Sequence, residues 1–129
     1  MKPDITNRKD IKLIITKFYD KLLVDEKMNP FFEEIVVKNQ LEHHLEDITD
    51  FWNDILFDTI TYQNNVMQKH LDKNAFISFE KEHFTIWVSY FFTSIDTFFK
   101  GQNASKMKTR AQSIATVMQL KMNLYQDKK

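Results

Sequence analysis

Apolar residues recur every three or four positions through four long segments, the spacing that predicts amphipathic α-helices. The predicted helices cover residues 7–24, 40–57, 78–100 and 104–125. Each has an apolar stripe that is expected to be buried. The pattern therefore predicts an all-α protein whose core lies where these stripes meet.

The residues expected in that core follow from the helical spacing. In the first helix they are Ile11, Ile14, Ile15, Phe18 and Leu22, with Tyr19 at the edge of the stripe. In the second they are Leu41, His44, Ile48, Phe51, Trp52 and Ile55. In the third they are Phe84, Trp87, Val88, Phe91, Ile95 and Phe98, and in the fourth Met107, Ala111, Ile114, Met118, Met122 and Tyr125.

Short-range signals indicate where helices begin and end. Asn29-Pro30 predicts a short helix that Asn29 caps and Pro30 opens, since proline suits the first helical position. Ser78 is the expected cap of the third long helix. Gly101 is expected to end that helix in a left-handed conformation.

Residues 58–77 form the least regular part of the chain. A stretch of roughly twenty residues without strong structure of its own is unusual in a compact domain and commonly has a function. Within it, Met67, His70 and Leu71 are spaced to share one face of a short helix. We therefore expect this segment to contribute to a site.

The composition narrows the class of protein. The length of 129 residues predicts one domain over residues 1–129. A single glycine and two prolines favour an all-helical chain, because hairpin turns need residues with positive φ. Basic and acidic residues number 18 each, so no nucleic-acid partner is expected. The absence of cysteine, and of any apolar run of signal or membrane-spanning length, predicts a cytoplasmic protein without a membrane partner.

His44 is the most informative residue, because its stripe directs an imidazole into an apolar environment. A buried polar group without a hydrogen bond costs about 1–3 kcal/mol, so His44 needs a partner. That partner could be a side chain, a backbone carbonyl or a bound molecule. The neighbouring His43 aligns with Asp47, Asp50 and Asp54 and is expected to face water.

Most catalytic sites do not fit the sequence. A di-metal carboxylate bundle needs Glu-x-x-His on two helices, and Glu80-x-x-His83 is not matched by a second such motif. There is no His-Glu-x-x-His motif, no glycine-rich phosphate loop and no serine in an elbow-like context. Tyr19, His44, His70 and Trp87 are the remaining set, and they suit a flat apolar cofactor with a central metal. Taken singly, each of these residues is more often an ordinary core or stripe-edge residue than part of such a site.

Five short segments, in this order, carry a family resemblance. They are Phe18-Tyr19-Asp20, Pro30-Phe31-Phe32, His44-Leu45 with Asp50-Phe51-Trp52, Tyr62 with Asn64-Asn65 and His70, and His83-Phe84 with Trp87 and Phe91. Together they resemble the truncated haemoglobins, specifically the third group of that family. The resemblance runs from about Ile11 to about Met122.

This resemblance implies a two-over-two helical sandwich around a haem pocket. The implied cofactor is haem b, with His70 as its axial iron ligand and Tyr19, His44 and Trp87 facing a small diatomic ligand such as O2. His44 could alternatively swing out as a gate, or bind the iron itself when no ligand is present. The implied pocket-lining residues are Phe31, Phe32, Phe51, Ile55, Met67, Leu71, Phe84, Trp87, Phe91 and Ile114.

Several functions are compatible with such a site. Redox chemistry on reactive oxygen or nitrogen species, peroxidase-like or dioxygenase-like, suits it as well as oxygen storage or transport. The implied partners are the ligand, an unidentified reductase and, in a weak homodimer, a second copy; a monomer is equally compatible. The alternative is a cofactor-free helical interaction or sensor module with a globin-like fold, in which the aromatic residues bind a partner.

Overall fold

The chain is helical through most of the part that the structure describes. The computed structural model describes residues 2–57 and 81–127, without the side chains of residues 34, 35 and 121–127. The elements are α1 (Arg8–Val24), a 3₁₀ turn (Asn29–Phe32), α2 (Glu33–Val37), α3 (Leu41–Phe57), α4 (Lys81–Phe98) and α5 (Gln102–Asp127). The four long helices predicted from the apolar pattern are thus confirmed where they are described.

The four long helices pack around a common interior. Helix α1 contacts both α3 and α4, α4 packs along α5, and α3 also touches α5. One continuous core fills the space between them, with fully buried side chains from every long helix. The all-α fold class is confirmed. Among residues 2–57 and 81–127, no helix has the length and apolar character needed to cross a bilayer.

Helix α1 follows the sequence prediction closely. Asn7 is its N-cap, and its side chain accepts a hydrogen bond from the backbone N–H of Asp10. Every residue of the predicted stripe is buried, and so is Tyr19, which was expected only at its edge. Tyr19 is 5% exposed. This helix therefore presents both an apolar stripe and a phenol to the interior.

Helix α3 is rotated relative to the prediction. Its fully buried side chains are Leu45, Thr49, Trp52 and Leu56. The other residues predicted to be buried are half-buried and flank that face: Leu41, His44, Ile48, Phe51 and Ile55. A threonine fits the interior because its hydroxyl donates to the carbonyl of Leu45 at 2.7 Å. Helix α3 therefore has one covered apolar stripe and one partly covered stripe beside it.

The later helices agree with the prediction in part. In α4, Phe84, Phe91 and Ile95 are buried, whereas Trp87, Val88 and Phe98 are half-buried and Ser94 takes a buried place. The Ser94 hydroxyl is accommodated by donating to the carbonyl of Tyr90 at 2.8 Å. In α5, Met107, Ala111 and Met118 are buried and Ile114 is half-buried, while the side chains of Met122 and Tyr125 lie outside the description.

Two predicted caps are wrong. Met28, not Asn29, precedes the 3₁₀ turn, and no side chain caps that turn. The carboxylate of Asp25 instead accepts hydrogen bonds from the N–H groups of Lys27 and Met28. Gly101 does not end α4, which stops at Phe98. The predicted cap Ser78 lies outside the described residues.

Gly101 has a different structural role, set by the N-terminal segment. The carboxylate of Asp4 accepts hydrogen bonds from the N–H groups of Asn103 and Ala104, both at 3.0 Å, and so caps α5 from outside. Burial would raise the pKa of Asp4, but hydrogen bonds from backbone N–H groups outweigh it and lower the pKa. Gly101 has φ +151°, and a Cβ there would lie 2.5 Å from Cγ of Asp4. The close approach of Asp4 therefore requires glycine at position 101.

Replacing Gly101 by alanine is expected to lower the free energy of unfolding by about 1–3 kcal/mol, from backbone strain and from the displaced Asp4 carboxylate. Urea unfolding at neutral pH measures the loss. Ser105→Ala, at an exposed position of α5, is the matched control and should change little. Equal stabilities of Gly101→Ala and wild type would contradict the close approach.

A charged network joins α1 to α3 at the surface. Arg8 binds Asp50 at 2.8 Å and Glu46 at 3.4 Å. Lys12 binds Glu42 at 2.9 Å and also binds Glu46. The hydrogen bond from Lys12 is the main cause that lowers the pKa of Glu46. Glu46 is therefore shared by two cations on the neighbouring helix.

Replacing Glu46 by glutamine should lower the free energy of unfolding by about 0.5–1 kcal/mol at pH 7, because the pairs are partly exposed and screened. The pKa of Glu46 is lowered by folding, so its stabilisation is complete above the ordinary glutamate pKa of about 4.3. It is lost as the pH falls through the lower folded-state value. Urea unfolding at pH 7 and at pH 3 tests this.

Glu42→Gln is the control, because Glu42 pairs with Lys12 and not with Arg8, and its side chain is 77% exposed. It should cost less than Glu46→Gln at pH 7. If Glu46→Gln lowers the free energy of unfolding as much at pH 3 as at pH 7, the charge of Glu46 is not what stabilises the protein.

Candidate functional site

The candidate site is built on a hydrogen bond between α1 and α3. The Oη atom of Tyr19 lies 2.7 Å from Nε2 of His44, and the two rings meet edge to face. This bond satisfies the imidazole that the sequence directs into an apolar environment. It brings together two of the residues predicted to face a ligand.

The tyrosine of this pair stays protonated. Burial raises the pKa of Tyr19 well above that of a free phenol, because an anion would be poorly solvated there. Tyr19 therefore keeps an O–H that can donate while its oxygen accepts. If Nε2 of His44 carries a proton and donates to Tyr19, the phenol O–H is available to another acceptor. In the other tautomer, Tyr19 donates to His44.

Aromatic rings fix Tyr19 in place. The ring of Phe32, from the 3₁₀ turn, lies edge to face at 5.4 Å, and Phe18 lies edge to face at 5.5 Å. Such contacts contribute about 0.5–1.5 kcal/mol each beyond the burial of area. The phenol therefore has little freedom to move away from His44.

A stack of rings connects Trp87 to the core. Trp87 lies parallel to Phe91, with centroids 5.8 Å apart, and Phe91 stacks on Trp52 at 5.2 Å. Phe18 meets both Trp87 and Phe91 edge to face. Trp87 is thus anchored through one face, and it is half-buried. Phe91 is 1% exposed and is surrounded by these rings.

Phe31 lies next to the imidazole of His83 on α4. Its ring meets His83 edge to face at 5.1 Å, and both residues are half-buried. Phe31 and Phe32 therefore project from the same turn toward different helices, Phe32 toward Tyr19 on α1 and Phe31 toward α4.

The other predicted site residues fall into three groups. Phe32 and Phe84 are buried, at 6% and 3% exposure. Phe51, Ile55 and Ile114 are half-buried beside the core. Met67, His70 and Leu71, and with them the predicted metal ligand, lie outside the described residues.

One polar contact near this site, between Tyr90 and Asp25, has no signal in the sequence. Tyr90 of α4 donates its hydroxyl proton to Asp25, the residue that follows α1. This bond is the main cause that lowers the pKa of Asp25, and it raises the pKa of Tyr90. The two residues are 65 positions apart, and neither lies in a motif. Local spacing contains no signal that would pair them.

Comparisons with known proteins agree with this arrangement. No protein-family model matches the chain. The chain is 28% identical over 121 residues to the group 3 truncated haemoglobin Ctb of Campylobacter jejuni, covering 92% of this chain and 93% of that protein. The crystal structure of a group III truncated haemoglobin from Campylobacter jejuni matches with a TM-score of 0.80 at 24% identity, covering 95% of each chain. The chain therefore has the truncated-haemoglobin fold, and the resemblance to group III that its motifs indicated is confirmed.

Proposed function

We propose that this protein binds haem and uses it to bind O2 or another small diatomic ligand. The observation that carries the proposal is the partly buried hydrogen bond of 2.7 Å between Tyr19 and His44, which places two hydrogen-bonding groups together in an aromatic setting. Such a pair suits a small ligand that carries partial negative charge.

The described residues fit a haem in their donor chemistry. Tyr19 contributes an O–H, His44 a ring nitrogen and Trp87 an indole N–H, and a neutral imidazole is the expected axial ligand. His70 would be that ligand, with Met67 and Leu71 beside it, as the resemblance to truncated haemoglobins implies.

The apolar surroundings fit as well. A residue that lines a slot has one face against protein and one toward the occupant, and is therefore half-buried. Phe31, Phe51, Ile55, Trp87 and Ile114 all have this intermediate burial. Phe32, Phe84 and Phe91 are more enclosed, so we expect them to contribute mainly by supporting the half-buried rings.

When bound, haem would supply an iron centre that binds diatomic ligands and exchanges electrons. The chain's own residues set how long a ligand stays. Tyr19, kept protonated by burial, donates to the ligand while His44 orients its hydroxyl. Trp87 meets the same Phe18 ring as Tyr19 does, and its indole N–H would be a second donor to the ligand. One good donor slows ligand loss about ten- to hundredfold.

A haem titration tests the proposal. Haem added to the apo protein should quench the fluorescence of Trp87 and Trp52 with an end point at one equivalent, since haem accepts excitation energy at short range. The reduced complex should then bind carbon monoxide. Titration of chain denatured in urea is the control and should give no stoichiometric end point.

Failure would favour the cofactor-free alternative. A protein that binds no haem, together with an exposed apolar patch of several hundred Å² that captures a partner, would identify an interaction or sensor module. Quenching without a one-equivalent end point would mean non-specific association and would also contradict the proposal.

A further inference from the structure

Asp25 organises the turn that leads from α1 to the 3₁₀ turn. Its Oδ1 atom accepts the N–H of Lys27 at 2.8 Å and that of Met28 at 3.1 Å. Its carbonyl accepts the N–H groups of Met28 and Asn29 at 3.2 Å and 2.9 Å. The path of the chain between α1 and the 3₁₀ turn is therefore set largely by one residue.

Tyr90 fixes that turn to α4. Its hydroxyl donates to Oδ2 of Asp25, the oxygen that the backbone does not use. The ion pair between Lys27 of this turn and Glu82 of α4, at 3.5 Å, is exposed and contributes little. Trp87 lies one helical turn before Tyr90 on α4. The bond from Tyr90 thus connects the turn to the helix that presents Trp87.

This turn positions Tyr19 through Phe32. Met28 is completely buried, so a shift of the turn is transmitted to the residues that follow it. Phe32 packs edge to face on Tyr19, and Phe31 packs on His83 of α4. The contacts run without a break from Tyr90 through Asp25 and the 3₁₀ turn to the phenol that bonds His44.

We propose that Tyr90, acting through Asp25, is a positioning residue that holds the turn and Phe32 so that Tyr19 keeps its place at the ligand site. Its effect on ligand binding rests on the proposed haem function, whereas its effect on the Tyr19–His44 hydrogen bond does not. A purely structural role would stabilise the fold and leave both properties unchanged.

Tyr90→Phe is the test variant, because it removes one hydroxyl and keeps the ring. We expect oxygen to dissociate about fivefold faster from the reduced, haem-loaded variant, in proportion to a weakened hydrogen bond. In the apo protein we expect the nitrogen resonance of His44 Nε2 to shift in an NMR spectrum. Asp25→Asn keeps an oxygen for the turn and a polar partner for Tyr90, so its effect should be smaller than that of Asp25→Ala.

Asp4→Ala is the matched control. It removes the capping carboxylate of α5, which costs about 1 kcal/mol of stability at a place that does not contact the turn. It should leave the oxygen dissociation rate and the His44 resonance as in wild type. Adding Tyr90→Phe to Asp25→Ala should change neither property further, because Tyr90 acts through Asp25.

The outcomes separate the two proposals. A wild-type protein that binds no haem would refute the proposed function, and the apo NMR comparison would still decide the role of Tyr90. An unshifted His44 resonance in Tyr90→Phe would overturn the positioning role. So would a dissociation rate that Asp4→Ala changes as much as Tyr90→Phe does, because stability alone would then explain the effect.

Discussion

Replacing His70 by alanine is expected to remove most of the Soret absorbance that haem gives with the wild-type protein, and to weaken haem binding by more than about tenfold. The proposed axial imidazole would be the protein's only bond to the iron that the sequence resemblance implies. The remaining apolar contacts would hold the ring without fixing its position. A haem titration followed by absorption measures the change, and free imidazole should restore part of the band.

His43→Ala is the control for this prediction. The side chain of His43 is 81% exposed and pairs with Asp47 at 3.5 Å, away from the buried face of α3. The His43→Ala protein should bind haem with the wild-type affinity and spectrum. A His70→Ala protein that keeps the wild-type spectrum, combined with loss of the band in His44→Ala, would assign the iron ligand to His44 instead.

Replacing Tyr19 by phenylalanine is expected to increase the rate of oxygen dissociation about ten- to hundredfold. The phenol would donate to an acceptor with partial negative charge, and such a bond contributes about 1.5–3 kcal/mol. The ring is kept, so the edge contacts with Phe18 and Phe32 persist. Stopped-flow displacement of oxygen from the reduced complex measures the rate.

Carbon monoxide and His44 supply the controls. Bound carbon monoxide carries less negative charge than bound oxygen, so it accepts a weaker hydrogen bond. Its dissociation rate should therefore change much less in Tyr19→Phe. If His44 acts by orienting Tyr19, then adding His44→Leu to Tyr19→Phe should have little further effect. An oxygen dissociation rate that Tyr19→Phe leaves at the wild-type value would contradict the role of Tyr19.

Local patterns predict much of this fold. The apolar stripe of α1 is buried as predicted, because a helix that packs on two neighbours buries a wide and regular face. Asn7 and Pro30 also lie at the positions where their backbone preferences place them, at the start of α1 and of the 3₁₀ turn. These features depend on a few consecutive residues and elementary sterics, so periodicity suffices to find them.

Properties that depend on distant residues are harder to predict. The buried face of α3 is rotated by about one residue from the predicted one. An apolar/polar pattern counts Thr49 as polar, whereas Thr49 is buried because its hydroxyl donates to a carbonyl of its own helix. Glycine is needed at position 101 because Asp4 lies close to its backbone, not because a helix ends there. Asp4 and Gly101 are far apart in sequence. The bond between Tyr90 and Asp25 has no local signal for the same reason.

The candidate site shows both situations. Tyr19 and His44 were singled out separately from their helices, whereas their mutual hydrogen bond depends on how α1 crosses α3. Tyr19 was expected at the edge of its stripe and is buried, since Phe32 covers it from outside the helix. Sequence reasoning therefore named the chemical groups, and the packing supplied their pairing.

The absorption spectrum of the protein purified from haem-replete cells decides whether the protein binds haem. We expect a red preparation with an intense Soret band in the ferric state, which shifts on reduction with dithionite and shifts again under carbon monoxide. A colourless protein, whose spectrum stays that of aromatic side chains after haem is supplied, would contradict haem binding.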